Sequence, residues 1–269
     1  MSRIVTEKDM DLTGAPTGYP GGILIKSERE LEMMRRAGKI VARTLDTLRE
    51  AVRPGLKTRE LDIIAIREIE RMGGKPVFKG YQGYPATVCV SINNEIVHGI
   101  PGDRVIQEGD LVKMDLGASV EGYIGDSAIT VGAGEVSRQA KELMEVTRET
   151  LEEAIKVARA GAHLGDIGAA IESYATSRGY SVVREYVGHG VGRFLHEDPQ
   201  VPNYGTPGTG PRLQRGMTLA IEPMVNAGDW RTRVLDDKWT VVTQDGSLSA
   251  HFEHTIAIGD DGAEVLTKL

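Results

Sequence analysis

Residues 111–131 read LVKMDLGASVEGYIGDSAITV, and the fold of the whole chain turns on how this stretch pairs with itself. Val112, Met114, Leu116 and Ala118 alternate with Lys113, Asp115 and Gly117, the period of two that marks a half-buried strand. Glu121-Gly122 is a turn signal and Ile124–Val131 reads as a return strand, so Asp115 and Asp126 fall on the two arms of one hairpin. A two-residue turn at Val120-Glu121 would set the two acids directly opposite; one at Glu121-Gly122 would leave them diagonal. Either register keeps both carboxylates on one face, within about 8 Å. Like charges so placed repel and raise a carboxylate pKa unless a cation lies between them. Alone, such a pair is most simply a solvated hairpin. Other strands, however, also carry isolated acids and histidines in apolar surroundings.

Upstream, Ser27-Glu28-Arg29-Glu30 has the form of an N-cap with acids in the first turn. Leu31, Met34, Ala37, Ile40 and Val41 follow at helical spacing to about Val52, where Arg53-Pro54-Gly55 stops the helix. A second helix starts at Thr58 and runs through Leu61, Ile64, Ala65 and Ile69 to Met72-Gly73-Gly74. The same phrase returns 106 residues later. A helix over Ser137–Ala158 ends at Arg159-Ala160-Gly161, and another runs from about Leu164 through Ile167 and Ile171 to Arg178-Gly179. Arg53 then matches Arg159, Gly55 matches Gly161, Leu61 matches Ile167 and Gly73 matches Gly179. One repeat of this length is a duplicated half-domain, not a solenoid. Helix pairs followed by strand runs indicate an α+β architecture, with helices over one face of a mostly antiparallel sheet.

The chain has 269 residues, enough for a sizeable core, and a net charge of −7 that leaves no basic footprint for nucleic acid or an anionic membrane. No apolar run reaches the ~18 residues of a membrane span, and Met1–Gly22 lacks the apolar core of a signal peptide. That polar, then Pro/Gly-rich segment reads as a flexible arm ahead of a single domain over 23–269. Cys89 is the only cysteine. There is thus no disulfide and no cysteine-based zinc site, and cytosol is the natural compartment.

The remaining segments supply the chemistry. Pro76–Pro85 is a loop containing Phe78, Tyr81 and Tyr84, a concentration of aromatics in a chain with three phenylalanines, eight tyrosines and two tryptophans. Such a loop can line an apolar pocket. Val88–Ile92 is a short strand leading to NNEIVHGIP, with His98 against Gly99. Val187–Gly192 (VGHGVG) would present bare backbone beside His189, room for something to lie against it. His196 heads His-Glu-Asp-Pro, which is not the helical HExxH of zinc proteases. Asn203–Gln214 is a Gly/Pro loop. Met217–Glu222 alternates and ends at Pro223, placing Glu222 on the polar face of a buried strand. Ser249–Ile258 reads as one strand with His251, Glu253 and Thr255 on one face; His251, His254 and His163 read as structural or surface residues. Collected, Asp115, Asp126, His189, Glu222 and Glu253 form an oxygen-rich set of four carboxylates and one imidazole. Two divalent ions would balance it, and oxygen-rich ligands with one His suit Mn, Fe, Co or Zn more than a thiolate site would. Hydrolysis of an amide or ester is the default reaction of such a centre.

SINNEIVHGIP (91–101), Asp115 and Asp126 in MDLGASVEGYIGD (114–126), GHGVGRFLHEDPQVPNY (188–204), GMTLAIEP (216–223) and SAHFEHTI (249–256) together resemble the type I methionine aminopeptidases of bacterial kind. The resemblance runs from about Ile25 to Leu269. It implies the pseudo-twofold pita-bread fold and a metal-dependent catalytic domain. It further implies that Asp115 holds one metal, that His189 and Glu222 hold the other, and that Asp126 and Glu253 bridge. A bridging hydroxide would attack the carbonyl after the first methionine, with Glu222 shuttling the proton. His196 would polarise that carbonyl and His98 would contact the scissile amide nitrogen. Phe78, Tyr81, Tyr84, Cys89 and Trp239 would line the methionine pocket, with Leu195 near its edge. Substrates would be peptides and nascent chains with an N-terminal methionine and a small second residue, met at the ribosome by a cytoplasmic monomer. Asn94 stands where the family usually has Glu, and Ile124 where an aromatic or His is common; neither replaces a ligand, so both bear on substrate fit. A prolidase would be expected to carry a large extra N-terminal domain, whereas about 24 residues precede the match. A non-catalytic binding protein would be expected to lose ligands, and none is lost. A structural Ca²⁺ site would not use His189 and would need an EF-hand loop.

Overall fold

The computed structural model describes residues 21–269. Its first half contains α1 (Glu28–Ala51), α2 (Thr58–Arg71), β1 (Lys75–Pro76), β2 (Cys89–Ile92), β3 (Glu95–Val97), β4 (Leu111–Val120) and β5 (Tyr123–Gly132). The second contains α3 (Arg138–Val157), α4 (Leu164–Thr176), β6 (Ser181–Val182), β7 (Gly188–Gly190), β8 (Glu197–Val201), β9 (Thr218–Ile221) and β10 (Met224–Asn226). It closes with β11 (Thr232–Val234), β12 (Val241–Thr243), β13 (Ser249–His251), β14 (His254–Ile258) and β15 (Ala263–Val265). Of the arm expected over Met1–Gly22, all but Gly21 and Gly22 lies outside the described residues. Among the described residues, no helix is long and apolar enough to cross a membrane.

The helices start and stop where their caps dictate. Ser27 caps α1 through a reciprocal pair with Glu30: its hydroxyl accepts from the Glu30 N–H, and the Glu30 carboxylate accepts from the Ser27 N–H. The Ser137 hydroxyl caps α3 by accepting from the Ala140 N–H, and at α2 and α4 the Glu60 and Asp166 carboxylates accept from the N–H groups of Lys57 and His163. The duplication holds at the level of backbone bonds. The Gly55 N–H donates to the Ile106 carbonyl and the Gly161 N–H to the Leu213 carbonyl, each at 2.9 Å. The two glycines have φ of 90° and 91°, a left-handed conformation that a side chain would strain. Leu61 and Ile167, the matched apolar positions, are both fully buried.

All strand pairings between named elements are antiparallel. One sheet contains β1, β2, β4 and β5; another runs in the order β15-β14-β9-β7-β8; two three-stranded sheets, β13-β10-β6 and β11-β12-β3, complete the set. Helices α1 and α2 cover the first sheet, where Ala37, Val41, Leu45, Leu61 and Ala65 pack on Val112, Met114, Leu116 and Ala118. Helices α3 and α4 cover the second half, with Leu143, Leu151 and Ile167 on Leu219, Ile221 and Val225. Each buried Val, Leu, Ile or Met among them contributes about 1.5–3 kcal/mol. Two expectations from periodicity are corrected. β4 is buried on both faces, because its polar face lines the closed interior; there Lys113 donates to the carbonyls of Asn93 (2.7 Å) and Ser249 (2.8 Å). Ser249–Ile258 is two strands and not one. β13 pairs with β10, and β14 with β9, the chain changing sheets at Phe252-Glu253 beside the matching break at Glu222-Pro223.

The halves meet along a seam between β5 and the β13–β14 segment. The Thr255 hydroxyl donates to the Asp126 carbonyl and accepts from its N–H, the Glu253 N–H donates to the Ala128 carbonyl, and the Thr130 hydroxyl exchanges bonds with His251 backbone. Helix α1 approaches the seam closely enough to exclude side chains. A Cβ on Gly38 would lie 2.1 Å from the Leu266 carbonyl oxygen, and one on Gly125 would lie 2.8 Å from the Gly38 nitrogen. Helix propensity alone would let Gly38→Ala stabilise the protein by about 1 kcal/mol. Overpacking against backbone costs about 1–3 kcal/mol and wins here. Gly38→Ala should therefore lower the urea midpoint of unfolding, and a raised midpoint would show that α1 does not dock this closely.

Candidate metal centre

Strand register brings five dispersed side chains to one place. The β4–β5 hairpin turns at Glu121-Gly122: Val120 faces Tyr123, Asp126 faces Gly117 and Asp115 faces Ala128, so the acids are diagonal. Across the seam Ala128 meets Glu253. The β9–β14 and β10–β13 registers are continuous through the double break, which sets Glu222 opposite Glu253. His189 on β7 faces Ala220, two residues before Glu222. Asp126, His189 and Glu253 each offer a ligand atom within 4.8 Å of the other two, and all three are buried.

The hydrogen bonding of His189 determines what can occupy this space. Its Nδ1 lies 2.9 Å from the Gly190 carbonyl oxygen, which can only accept, so the ring proton is on Nδ1. Nε2 therefore presents a lone pair, 3.6 Å from Glu222 Oε1 and 3.8 Å from Asp126 Oδ2. Lone pair faces lone pair, too far apart for a hydrogen bond. Asp115 Oδ1, Asp126 Oδ1 and Glu253 Oε1 are likewise buried without a partner. Each unpaired buried acceptor costs about 1–3 kcal/mol. Among the described residues, no lysine or arginine pairs with any of the four carboxylates. The donor set fits divalent cations and little else: hard oxygens that need positive charge, and one imidazole nitrogen oriented by its other nitrogen.

The electrostatics agree. Burial, then mutual repulsion, pushes Asp115, Glu222 and Glu253 well above the usual carboxylate range; burial pushes Asp126 up to about 7. Burial also lowers His98 and His189 to about 4, and it holds His196 well below its usual value with help from the neighbouring His189 and His98. These rings are uncharged near neutrality and supply no counter-charge.

The other sequence-predicted residues surround this cluster. His196 stacks edge-on to His189 with centroids 4.3 Å apart, and its Nδ1 lies 2.6 Å from the Tyr81 hydroxyl. Phe78, Tyr84, Cys89 and Leu195 are buried in one apolar cluster, with Tyr81 and Trp239 packed against it. Tyr84 meets Trp239 edge to face at 5.1 Å, and Cys89 sits opposite Asp115, tying the apolar wall to the acidic floor. His98 has φ of 61° and its ring meets Trp239 and Tyr186. Tyr186 was not marked by the sequence, its only signal being an aromatic just ahead of the glycine-rich strand. Two readings are corrected. The bare face of that strand gives no room for a ligand: a Cβ at Gly188 would meet the Ala220 carbonyl oxygen at 2.3 Å, and one at Gly190 the Asp198 carbonyl oxygen at 2.2 Å. His251, read as structural or surface, is buried at the centre, its Nε2 3.9 Å from Glu222 Oε2 and 4.0 Å from Glu253 Oε2. His254 is the structural residue, its Nδ1 2.9 Å from the Thr267 hydroxyl.

Because Asp126 holds its proton up to about pH 7 when folded and only to its ordinary 3.8 when unfolded, its contribution to the metal-free protein is full below pH 3.8 and is lost as pH rises through about 7. In chelator, the melting temperature should therefore fall over that window, and Asp126→Asn should make the fall shallower. An unchanged slope in the variant would remove Asp126 from the buried cluster.

Comparison with known proteins supplies the context. The sequence profile of metallopeptidase family M24 matches residues 32–260. A methionine aminopeptidase 1 from Bacillus subtilis (strain 168) is 53% identical over 247 residues, covering 92% of this chain and 100% of the relative. The crystal structure of a methionine aminopeptidase from Thermotoga maritima superposes with a TM-score of 0.91 at 52% identity, covering 92% of this chain and all of that one. A prolidase from Pyrococcus furiosus shares the fold, with a TM-score of 0.74 at 23% identity over 91% of this chain and 65% of its own.

Proposed function

The chain belongs to metallopeptidase family M24, among its bacterial methionine aminopeptidases, and from that premise we propose that it removes the N-terminal methionine from peptides and nascent proteins whose second residue is small. The observation that carries this reading is the lone pair of His189 facing the carboxylates of Glu222 and Asp126 beside a cluster of aromatic side chains.

Asp115 would hold one divalent ion, His189 and Glu222 the other, and Asp126 and Glu253 both. When bound, such a pair supplies a hydroxide at neutral pH and polarises a carbonyl. Glu222 takes up the proton released in the attack and returns it to the leaving amine. Burial keeps the Tyr81 phenol protonated, its pKa pushed up to about 12, so it donates to His196 Nδ1. The proton of His196 is then on Nε2, available to the developing oxyanion. His98, uncharged and set on a left-handed backbone, contacts the scissile amide nitrogen. The soft wall of Phe78, Tyr81, Tyr84, Cys89 and Trp239 suits an unbranched thioether, with sulfur–aromatic contact worth about 0.3–1.5 kcal/mol. The substrate's free amine belongs beside Asp115, next to Cys89 at the pocket floor. Nascent chains at the ribosome are the substrates this reading implies, met by a monomer in the cytoplasm. A single free, buried cysteine agrees with a reducing compartment.

Rates on four peptides with Mn²⁺ or Co²⁺ test the proposal. Met-Ala-Ser should be cut fast, Met-Leu-Ser slowly because His98 and His196 crowd the second residue, and acetyl-Met-Ala-Ser hardly at all for want of a free amine. Leucine or norleucine in first position should be slowed and not refused, since apolar fit discriminates by only about 1–3 kcal/mol per methylene. Fast cleavage of acetyl-Met-Ala-Ser, or a preference for Ala-Pro-Ser, would overturn the reading.

A further inference from the structure

His251 is a second imidazole at the centre, and the roles assigned above leave it unused. It is 1% exposed, and its Nε2 is buried with no hydrogen-bond partner. At Glu222 that nitrogen faces the carboxylate oxygen that His189 does not. Glu222 turns Oε1 toward His189, at 3.6 Å, and Oε2 toward His251, at 3.9 Å. Glu253 turns Oε2 toward the same His251 nitrogen, at 4.0 Å.

The backbone fixes this placement. His251 ends β13, where it pairs with Met224, two residues past Glu222. Its N–H donates to the Thr130 hydroxyl oxygen at 2.9 Å, and its carbonyl accepts from that hydroxyl at 2.6 Å. The ring is thus carried on the last rigid residue before both strands change sheets, where backbone pairing lapses and Glu222 and Glu253 lose the support a regular ladder would give. At 3.9 and 4.0 Å neither contact is a hydrogen bond, but with two carboxylate oxygens facing Nε2, the single N–H of a neutral imidazole is best placed on that nitrogen, as a dipole directed at the negative charge.

We infer that His251 is a positioning residue: one Nε2–H directed at Glu222 Oε2 and Glu253 Oε2 holds the outer oxygens back, leaving the inner oxygens to the metal ions. The inference rests on the proposed two-ion centre. It concerns how the glutamates are aimed, not which groups ligate. Outer partners of this kind are worth about 10–100-fold in metal affinity or activity.

The test compares wild-type protein with His251→Gln, which keeps a donor at similar reach, and His251→Met, which keeps volume without one. Calorimetric titration with Mn²⁺, the visible spectrum with Co²⁺, and kcat and KM on Met-Ala-Ser are read on each, after circular dichroism of the metal-free forms. Wild-type protein should take up two ions. His251→Met should still take up two, with affinity and kcat each lowered about 10–100-fold, KM within a few-fold and an altered Co²⁺ spectrum. His251→Gln should return to within a few-fold of wild type. His251→Met behaving like wild type would overturn the inference by reducing His251 to packing. Loss of one whole ion in both variants would overturn it by making His251 a ligand. Should His251→Met fail to fold, His251→Asn, whose amide stops short of the glutamates, carries the same comparison. Wild-type protein that binds no divalent ion would instead overturn the functional reading, a result seen before any variant is compared.

Discussion

The whole structure depends on one unfavourable juxtaposition: the His189 Nε2 lone pair, the buried carboxylates of Asp126 and Glu253 and the half-buried ones of Asp115 and Glu222 converge and, among the described residues, no lysine or arginine pairs with them. Desolvation alone makes each ionised carboxylate expensive, and repulsion among them adds to it. A fold gains nothing in stability from such a cluster; well-packed apolar side chains in the same volume would serve better. The cluster therefore makes physical sense as the protein half of a larger unit, completed by divalent cations.

The rest of the fold can be understood as the means of bringing these groups together. The strands that carry the proposed ligands lie far apart in the sequence, and both halves contribute: Asp115 on β4 and Glu222 after β9 each follow a helix pair with a left-handed glycine between its helices. The seam joins the halves with threonine hydroxyls as much as with backbone bonds. Threonine can substitute for a backbone partner where two strands come alongside without a regular ladder. Close backbone approach at Gly38, Gly125, Gly188 and Gly190 locks the ligand strands against their neighbours, so the ligands' positions follow from packing.

Much of this was legible in the sequence, and what was not has a definite physical reason. The helix pairs were readable because amphipathic spacing and glycine stops are local signals, and the hairpin because alternation and turn chemistry are local too. The diagonal register of Asp115 and Asp126 was one of two alternatives, since both keep the acids on one face. The residues proposed as ligands stood out as acids and one histidine inside apolar strands. His251 did not, because a histidine three residues from another on an alternating strand looks ordinary until a sheet change turns it inward. The break within Ser249–Ile258 was hidden for a related reason: it answers the Glu222-Pro223 break between β9 and β10, on a stretch of chain remote in sequence. The glycine face of β7 read as space for a ligand because sequence reveals a missing side chain and not the backbone that fills its place.

The proposed methionine pocket, the neutral histidine pair proposed for the scissile bond and the proposed two-ion centre are separable parts, and the last determines whether the others have anything to do. The most direct measurement is an anomalous difference map at the manganese edge from crystals grown with Mn²⁺. The account predicts two peaks about 3.5–4 Å apart, one against Asp115, the other against His189 and Glu222, with Asp126 and Glu253 reaching both. A map with no peak among these five residues, or with a single peak that leaves Asp115 unengaged, would contradict it.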